Sequence, residues 1–427
     1  MVMERFIVKM SLIVALFFTS FLMLFETSFA MTKPYRPIPA FAEKSSPLLL
    51  DVEQHKVQSR ERVFSFSLLQ KMLSAEQFSK GNAIVSPVSI YSAFTILYPV
   101  SAGQTKKEFA KAFQFHELDE SQLQLAYALS LRKLLTSDAS ISVKMANSLW
   151  VQKSFPIIPT FLTKNKTVNS AEIRNVDFTD VNTKDLINHW VSDKTNKLVP
   201  KLFDSLDSSA VMMIINTLYF KAKWQLPFKV ESTFDQPFYY RGKEKNIPFM
   251  HSSAYINYLE KPTFQAISLP YGNGNLSMYV FLPKENGDLS DVIKQITDAN
   301  WQRWKGQFRQ IDLDLSMPKF TMANRVDFIP ILKLLGVKQA FIKADFSKLT
   351  TSKVPLAISQ VIQQSKINVN EEGTEAAAAT AIEMIATAVM SRDPVTMSVN
   401  RPFFYTIYDS KSDTMLFMGV MNVPPTN

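Results

Sequence analysis

Four histidines, His55, His116, His189 and His251, are the only imidazoles in the chain, and it contains no cysteine. Metal sites and nucleophile–base pairs draw heavily on these two residue types. No two of the histidines stand at a metal-ligand spacing, so neither a metal nor a cofactor is expected. No Gly-x-Ser-x-Gly elbow marks an activated serine. No Gly-x-Gly-x-x-Gly or Walker loop is present to cradle a phosphate. Two catalytic carboxylates need no local motif, but nothing in the sequence points to such a pair. The chain therefore reads as a non-enzyme. Its most informative segment is Asn370-Glu371-Glu372-Gly373-Thr374-Glu375-Ala376-Ala377-Ala378-Ala379-Thr380. Read alone, this run starts a helix: Thr374 caps, Glu375 suits a first turn, and Ala is the best helix former. Ile382, Ile385, Ala386 and Val389 continue it as an amphipathic stripe.

The elements around that segment can be read from periodicity. Val63, Phe66, Leu69 and Leu73 recur at helical spacing. Ala83-Ile84-Val85 reads as a short buried strand, and Ser86-Pro87 opens the next helix with a cap and a proline at its first position. Helical patterns follow over 103–114 and 119–136, then a strand over 141–151 and a helix from Asp185 to Asn196. Val211 to Phe220 reads as a central strand. Residues 234–283 are β-rich, with Tyr271-Gly272-Asn273-Gly274-Asn275 as turn chemistry. Helices are expected over 288–306 and 326–336, and strands over 356–369, 402–409 and 415–422. Strands spread through the chain with helices between them imply one α+β domain with large antiparallel or mixed sheets.

Length and composition set the frame. The 427 residues, 46% hydrophobic and 20% charged, can bury a substantial core. Residues 1–30 have the form of a secretory signal peptide. Arg5 and Lys9 precede an apolar run from Ser11 to Phe25, and Ser28 and Ala30 fit a cut before Met31. The run is short for a membrane span. A secreted protein, extracellular or periplasmic, with no stable membrane anchor after cleavage is expected. Without cysteine its stability must come from the core. Asn165 and Asn275 open Asn-x-Ser/Thr sites. Residues 31–56, with Pro34, Pro37, Pro39 and Pro47, read as a flexible or extended tail, leaving 57–427 as the folded domain. The net charge of +9 is dispersed, and no basic run with interleaved aromatics appears, so nucleic acid is not an expected partner. Lys106, Lys107 and Lys111 fall on one helix face and keep a polyanion open as a rival partner.

Several segments, taken in order, resemble the serpin family. They are Asn82-Ala83-Ile84-Val85-Ser86-Pro87-Val88-Ser89-Ile90, Ala146-Asn147-Ser148-Leu149-Trp150, Ile187-Asn188-His189-Trp190-Val191 and Asn216-Thr217-Leu218-Tyr219-Phe220-Lys221-Ala222-Lys223-Trp224. Val399 to Ile407 and Phe417-Met418-Gly419 complete the series, which spans roughly residues 57–427. The resemblance implies a large central sheet, two further sheets, about eight or nine helices and an exposed reactive loop over 371–396. Ser86, Ser89, Asn216 and Gln363 would then hold the sheet centre. Gln363 stands where the family often has histidine, and it can donate and accept but not titrate. Lys319 would pair with Glu371 at the top of the sheet, helping to hold the loop out, with Trp224 packed nearby.

The same resemblance implies a serine-protease inhibitor of the suicide-substrate type, monomeric, with some cysteine proteases as further targets. The loop would be attacked as bait and would then enter the main sheet as a strand. In a strand alternate side chains share a face, so Thr374, Ala376, Ala378 and Thr380 would pass into the core together. Counting from Glu371 as the first of about seventeen residues places the bait bond at Thr387–Ala388, which suits a shallow elastase-like or subtilisin-like pocket. Val389–Met390, Met390–Ser391 and Arg392–Asp393 are rival bonds. A non-inhibitory carrier or chaperone is the rival function.

Overall fold

The computed structural model describes residues 47–425 apart from 76, 77, 79, 117, 137, 139, 169, 170 and 375–393. All lie in one compact unit, Glu43–Asn427. The expected signal peptide, the expected bait bond Thr387–Ala388, its three rivals and the expected hinge residues Glu375 to Thr380 fall outside the described residues.

In chain order the elements are α1 (Pro47–Ser74), β1 (Ala83–Val85), α2 (Pro87–Leu97), α3 (Gly103–Ala112), α4 (Glu120–Leu135), β2 (Ser142–Gln152), α5 (Pro159–Val168), β3 (Glu172–Val176), α6 (Val181–Lys194) and β4 (Met212–Lys223). Then come β5 (Thr233–Tyr240), β6 (Lys243–Glu260), β7 (Phe264–Tyr271), β8 (Leu276–Pro283), α7 (Leu289–Gln295), α8 (Asp298–Lys305), β9 (Arg309–Pro318), β10 (Phe320–Asp327) and α9 (Ile329–Leu334). The chain closes with β11 (Gln360–Asn370), β12 (Gly373–Thr374), β13 (Val395–Ser398), β14 (Phe403–Asp409) and β15 (Thr414–Met421). Helix α1 starts ten residues before the expected start of the folded domain at residue 57. Pro47 is its first residue, where the missing N–H costs nothing, so a helix-start proline had been counted as a loop signal. Gln54, within the supposed tail, is already buried.

Six strands form one mixed sheet in the order β10-β11-β12-β4-β2-β3. Nine form a second, β1-β15-β14-β8-β7-β6-β9-β13, with β5 alongside β6. The two further sheets expected from the resemblance are thus joined into one. The link is β6, whose 18 residues pair first with β5, then with β9, and at the end with β7. Strands β9 and β10, which replace a stretch left blank between helices, alternate apolar and polar residues as half-buried strands do.

Helix α2 is buried on every side, which is why its sequence is apolar or small throughout. It lies between α1, β15 and the inner face of β2 and β4. The outer face of the six-stranded sheet has its own smaller core under α6. There Trp150 and Trp190 meet edge to face with ring centroids 6.1 Å apart, over Met213, Ile215 and Ile362.

One acid sits inside the main core. Glu61 on α1 is 1% exposed, and its Oε1 meets no hydrogen-bond partner among the described residues. Burial pushes its carboxyl up to about 8 against the pull of neighbouring Arg62 and Thr414. Folding therefore takes up a proton, and the stability present below the ordinary glutamate range is lost as pH rises towards 8. Glu61→Gln should remove that slope and raise stability at pH 8 by about 1–3 kcal/mol. Thermal unfolding from pH 5 to 8 checks this: parallel curves for the two proteins would show that Glu61 does not titrate there.

Candidate functional site

The hinge enters the six-stranded sheet at its upper end. Strand β12 is only Gly373–Thr374, yet it lies between two partners. Gly373 pairs with Lys223 and Thr374 with Ala222 on β4, while Thr374 pairs with Val369 and Gly373 with Asn370 on β11, all antiparallel. Below this wedge β4 and β11 pair directly and in parallel, from Met213↔Gln360 to Leu218↔Ser365. Thr374 is fully buried, and its Oγ1 lies 2.8 Å from the Tyr271 hydroxyl. Thr374 is therefore a strand residue, not the cap of a helix. It is also not held out of the sheet, as the resemblance had implied for the loop.

A turn at Asn370–Glu372 delivers the chain into this position. The Asn370 side-chain oxygen accepts from the backbone N–H groups of Glu372 and Gly373 at 3.1 and 3.2 Å. Gly373 has φ +150°, and a Cβ there would lie 2.1 Å from the Ala222 carbonyl oxygen. Only glycine allows the backbone this approach. Trp224 binds the other side of the turn. Its backbone N–H donates to the Glu372 carbonyl at 2.9 Å and its indole N–H to the Asn370 carbonyl at 2.8 Å. The indole stacks on Tyr271 with centroids 4.2 Å apart. Phe228 donates its N–H to the Glu371 carbonyl at 2.9 Å.

Glu371 and Lys319 meet as the resemblance implied. Lys319 Nζ stands 2.9 and 3.2 Å from the two carboxylate oxygens, and the Thr233 hydroxyl donates to one of them at 3.0 Å. Burial alone would raise this carboxyl. The ammonium, Glu371's own backbone N–H and the Thr233 hydroxyl outweigh burial and hold it below the usual glutamate range. The glutamate side chain is 7% exposed but the lysine 43%, so solvent screens the pair and its worth is about 1 kcal/mol or less.

The second cluster lies mid-sheet. Gln363 accepts from the Ser86 backbone N–H at 2.8 Å and donates to the Ser86 carbonyl at 2.9 Å, a two-point clasp on the start of α2. The Ser365 hydroxyl donates to the same Gln363 oxygen. The Ser86 and Ser89 hydroxyls lie 3.0 Å apart, and the Asn147 amide donates to the Ser92 hydroxyl at 2.8 Å. Asn216 is cross-strand from Gln363 in the ladder, but its amide donates to Asn147 rather than to Gln363. The Asn216 Oδ1 is buried with no hydrogen-bond partner among the described residues. Sequence reasoning missed Ser92, although Ser86, Ser89 and Ser92 recur every third residue on one helix face. It also read Tyr271 only as turn chemistry.

Other candidates are placed outside these clusters. Lys106 is engaged with Glu120 and lies over the Tyr98 ring, so of the three lysines on α3 only Lys107 and Lys111 face solvent. Asn165 is buried and its amide donates to the Phe161 carbonyl, so that glycosylation motif is not presented by the folded chain. Among the described residues no group of acids and histidines could hold a metal. No described helix is long and apolar enough to cross a membrane.

Two outcomes test the hinge. Gly373→Ala should expel β12, seen as a shifted emission from Trp224 and faster proteolysis after Glu372; an unchanged spectrum would show that the backbone yields. Because the Glu371 carboxyl is depressed, its contribution holds at neutral pH and is lost as pH falls through and below the ordinary glutamate range. The wild type should show a Trp224 emission change in that range that Glu371→Gln lacks. The same transition in both proteins would assign it to another group.

A family model described as serpin, serine protease inhibitor, matches residues 59–424. An uncharacterised serpin-like protein of Methanosarcina acetivorans is 30% identical over 393 residues, covering 90% of this chain and 92% of that protein. The leukocyte elastase inhibitor of Bos taurus is 33% identical over 362 residues, covering 81% of this chain and 93% of the relative. Among solved structures, the native state of the thermophilic serpin tengpin superposes with TM-score 0.79 at 27% identity, covering 86% of this chain and 94% of that one. With the family model matching most of the chain and a relative 30% identical over nine tenths of it, this chain belongs to the serpin family.

Proposed function

We propose that this chain is a secreted inhibitor of serine endopeptidases that traps its target as an acyl-enzyme while the reactive loop inserts into the six-stranded sheet. One observation carries the reading: the register in which Gly373 and Thr374 already sit. Continued residue by residue, that register would set Ala376 against Phe220 and Ile367, Ala378 against Leu218 and Ser365, and Thr380 against Asn216 and Gln363. Asn216 and Gln363 are paired with each other now, as are Leu218 and Ser365. A strand entering here would keep the register of both existing partners while they part by one strand spacing, about 4.8 Å. Its inward residues would be Thr, Ala, Ala and Thr, small enough to pass the core face without overpacking. The Thr380 hydroxyl would arrive beside the unfilled Asn216 oxygen.

The energetics favour the same direction. Insertion breaks one short parallel ladder and makes two longer antiparallel ones, the better hydrogen-bond geometry. The protease serine would attack the carbonyl of Thr387, release the amine of Ala388 and remain esterified to the loop. Register continuation runs out near Glu383, opposite Met213 and Gln360 where β4 and β11 begin, so the acylated residue would be carried to the far end of the sheet. There the protease, pulled against the sheet's edge, loses its catalytic geometry before water completes hydrolysis. Small residues around the bond suit an elastase-like or subtilisin-like pocket. The bovine relative named as an elastase inhibitor supports that class.

A carrier function is the second reading, favoured by one feature. An open cleft of about 680 Å³ between α1, α7 and the neighbouring strands is lined by Leu73, Phe78, Leu289 and Ile293 with Arg241 and Arg401. Its size suits a small ligand. Thyroxine-binding globulin in complex with thyroxine superposes with TM-score 0.81 at 24% identity, a likeness of fold.

Incubation with an elastase-like protease separates the readings. Inhibition predicts a complex that survives denaturing gels and a released peptide beginning at Ala388. Thr374→Arg should abolish the complex while cleavage continues, because a charged side chain cannot enter beside Tyr271. Cleavage without complex against elastase-, chymotrypsin- and trypsin-like enzymes would favour the carrier.

A further inference from the structure

We propose that the surface formed by residues 329–356 and α3 docks on an anionic lipid bilayer, held peripherally by lysines around three exposed aliphatic side chains. The inference does not rest on the inhibitory reading. It starts from a repeat that local patterning does not explain. Lys333, Lys338, Lys343, Lys348 and Lys353 recur every fifth residue, a period that belongs to neither helix nor strand. Over 329–356 the single acid is Asp345, so this stretch carries +4 of the chain's net +9.

The fold lays the whole stretch on the surface. Gly336, at φ +97°, turns the chain out of α9 and leaves Lys333 and Leu334 exposed in the last turn. The chain then runs along α3. The backbone N–H groups of Lys338 and Gln339 donate to the Glu108 carboxylate at 2.7 Å each, and the Ala102 N–H donates to the Asp345 carbonyl at 2.9 Å. Val337, Ala340, Ala344, Phe346 and Leu349 are buried and hold the stretch down from one side. All five lysines are exposed, as are Lys107 and Lys111 on α3. Among the described residues none of these seven is in an ion pair. The acids on the same elements are engaged: Glu108 by those two N–H groups, and Asp345 by the Ser347 N–H at 3.3 Å.

The aliphatic residues select the occupant. Ile342 is 72% exposed, Val354 62% and Leu334 52%. One exposed aliphatic is ordinary on any surface. Three set among unpaired cations match what a bilayer interface takes up. Their side chains enter between headgroups while the lysine stems lie along the boundary and their ammonium groups meet lipid phosphates. A nucleic acid or a sulfated glycan would answer the charge but gain nothing from the aliphatics. Phe341 and Phe346, the aromatics of the stretch, are partly and fully buried and offer no stacking platform. The stretch leads into the start of β11, where the Ser359 N–H donates to the Met212 carbonyl at the start of β4, whereas the hinge enters at the other end of β11. One strand of 11 residues, about 35 Å, separates the two, so a bilayer docked here leaves the hinge clear.

The test uses protein beginning at Met31, so that the apolar run Ser11 to Phe25 binds no vesicle itself, and keeps the compact unit Glu43–Asn427 whole. The probes are vesicles of phosphatidylcholine with phosphatidylglycerol, vesicles of phosphatidylcholine alone, double-stranded DNA and a sulfated polysaccharide. Wild type should bind the anionic vesicles and not the neutral ones. A variant carrying Lys338→Gln, Lys343→Gln and Lys348→Gln should bind about a hundredfold more weakly, at about fivefold per lysine, and lose most of its salt dependence. Ile342→Ser should bind about tenfold more weakly at every salt concentration. Melting midpoints should match wild type, since all four side chains are exposed. The chain has no cysteine, so Ile342→Cys and, at the hinge end, the exposed Lys229→Cys each accept one environment-sensitive dye. Anionic vesicles should shift the dye emission to the blue at 342 and leave it unchanged at 229. No binding, equal binding to neutral vesicles, an unweakened triple variant or a shift at 229 alone would overturn the docking surface. Binding to DNA or the polysaccharide with no shift at 342 on vesicles would assign the lysines to a polyanion and overturn it as well.

Discussion

The parallel seam between β4 and β11 is the constraint on which the rest of the molecule turns. Met213 to Leu218 and Gln360 to Ser365 share one ladder, and above it the strands part around two residues of the hinge. Parallel pairing is the weaker arrangement, and here it sits in the middle of a sheet rather than at an edge. A sheet closed this way is complete enough to fold, and its seam is the ladder that the proposed insertion would open. Groups beneath the sheet hold that seam. Gln363 clasps both backbone groups of Ser86, and Asn147 ties Asn216 to Ser92 on the same buried helix.

These clasps are amide and hydroxyl contacts in a site sealed from water. Buried polar groups must be satisfied, and each partner is expensive to lose. A glutamine in the central position makes the clasp independent of pH, since it exchanges no proton between pH 4 and 9 or so. Acid sensitivity moves instead to the top of the sheet, where Glu371 is held ionised by Lys319 and Thr233. Centre and top thus respond to different conditions although one strand, β11, joins them.

Much of this was legible in the sequence. The period of Val63 to Leu73, the Ser86-Pro87 helix start and the apolar run from Val211 mapped onto α1, α2 and β4 because each is set by local patterning. The hinge was legible for a different reason: local patterning read the segment as a helix start, and only its resemblance to a serpin reactive loop marked it as a hinge. Reading failed where tertiary context assigns the role. Thr374 has the chemistry of a helix cap and a strand residue alike, and only the gap between β4 and β11 decides for the strand. Asn216 and Gln363 were named together, yet the Asn216 amide goes to Asn147, its cross-strand neighbour on β2, while the Gln363 amide is engaged with Ser86.

By itself, the sequence determined an α+β chain with a core large enough to dispense with disulfides, and its main helices and strands. These follow from periodicity, propensity and residue volume, which act over a few neighbours. Only the tertiary structure decided that two sheets merge through the successive pairings of β6, that Gly373 and Thr374 already occupy the sheet, and that Ser86, Asn147, Asn216 and Gln363 gather mid-sheet. Those contacts join residues up to 277 positions apart. Their partners are chosen by packing and by the demand that buried donors find acceptors, a demand that no local stretch of sequence can express.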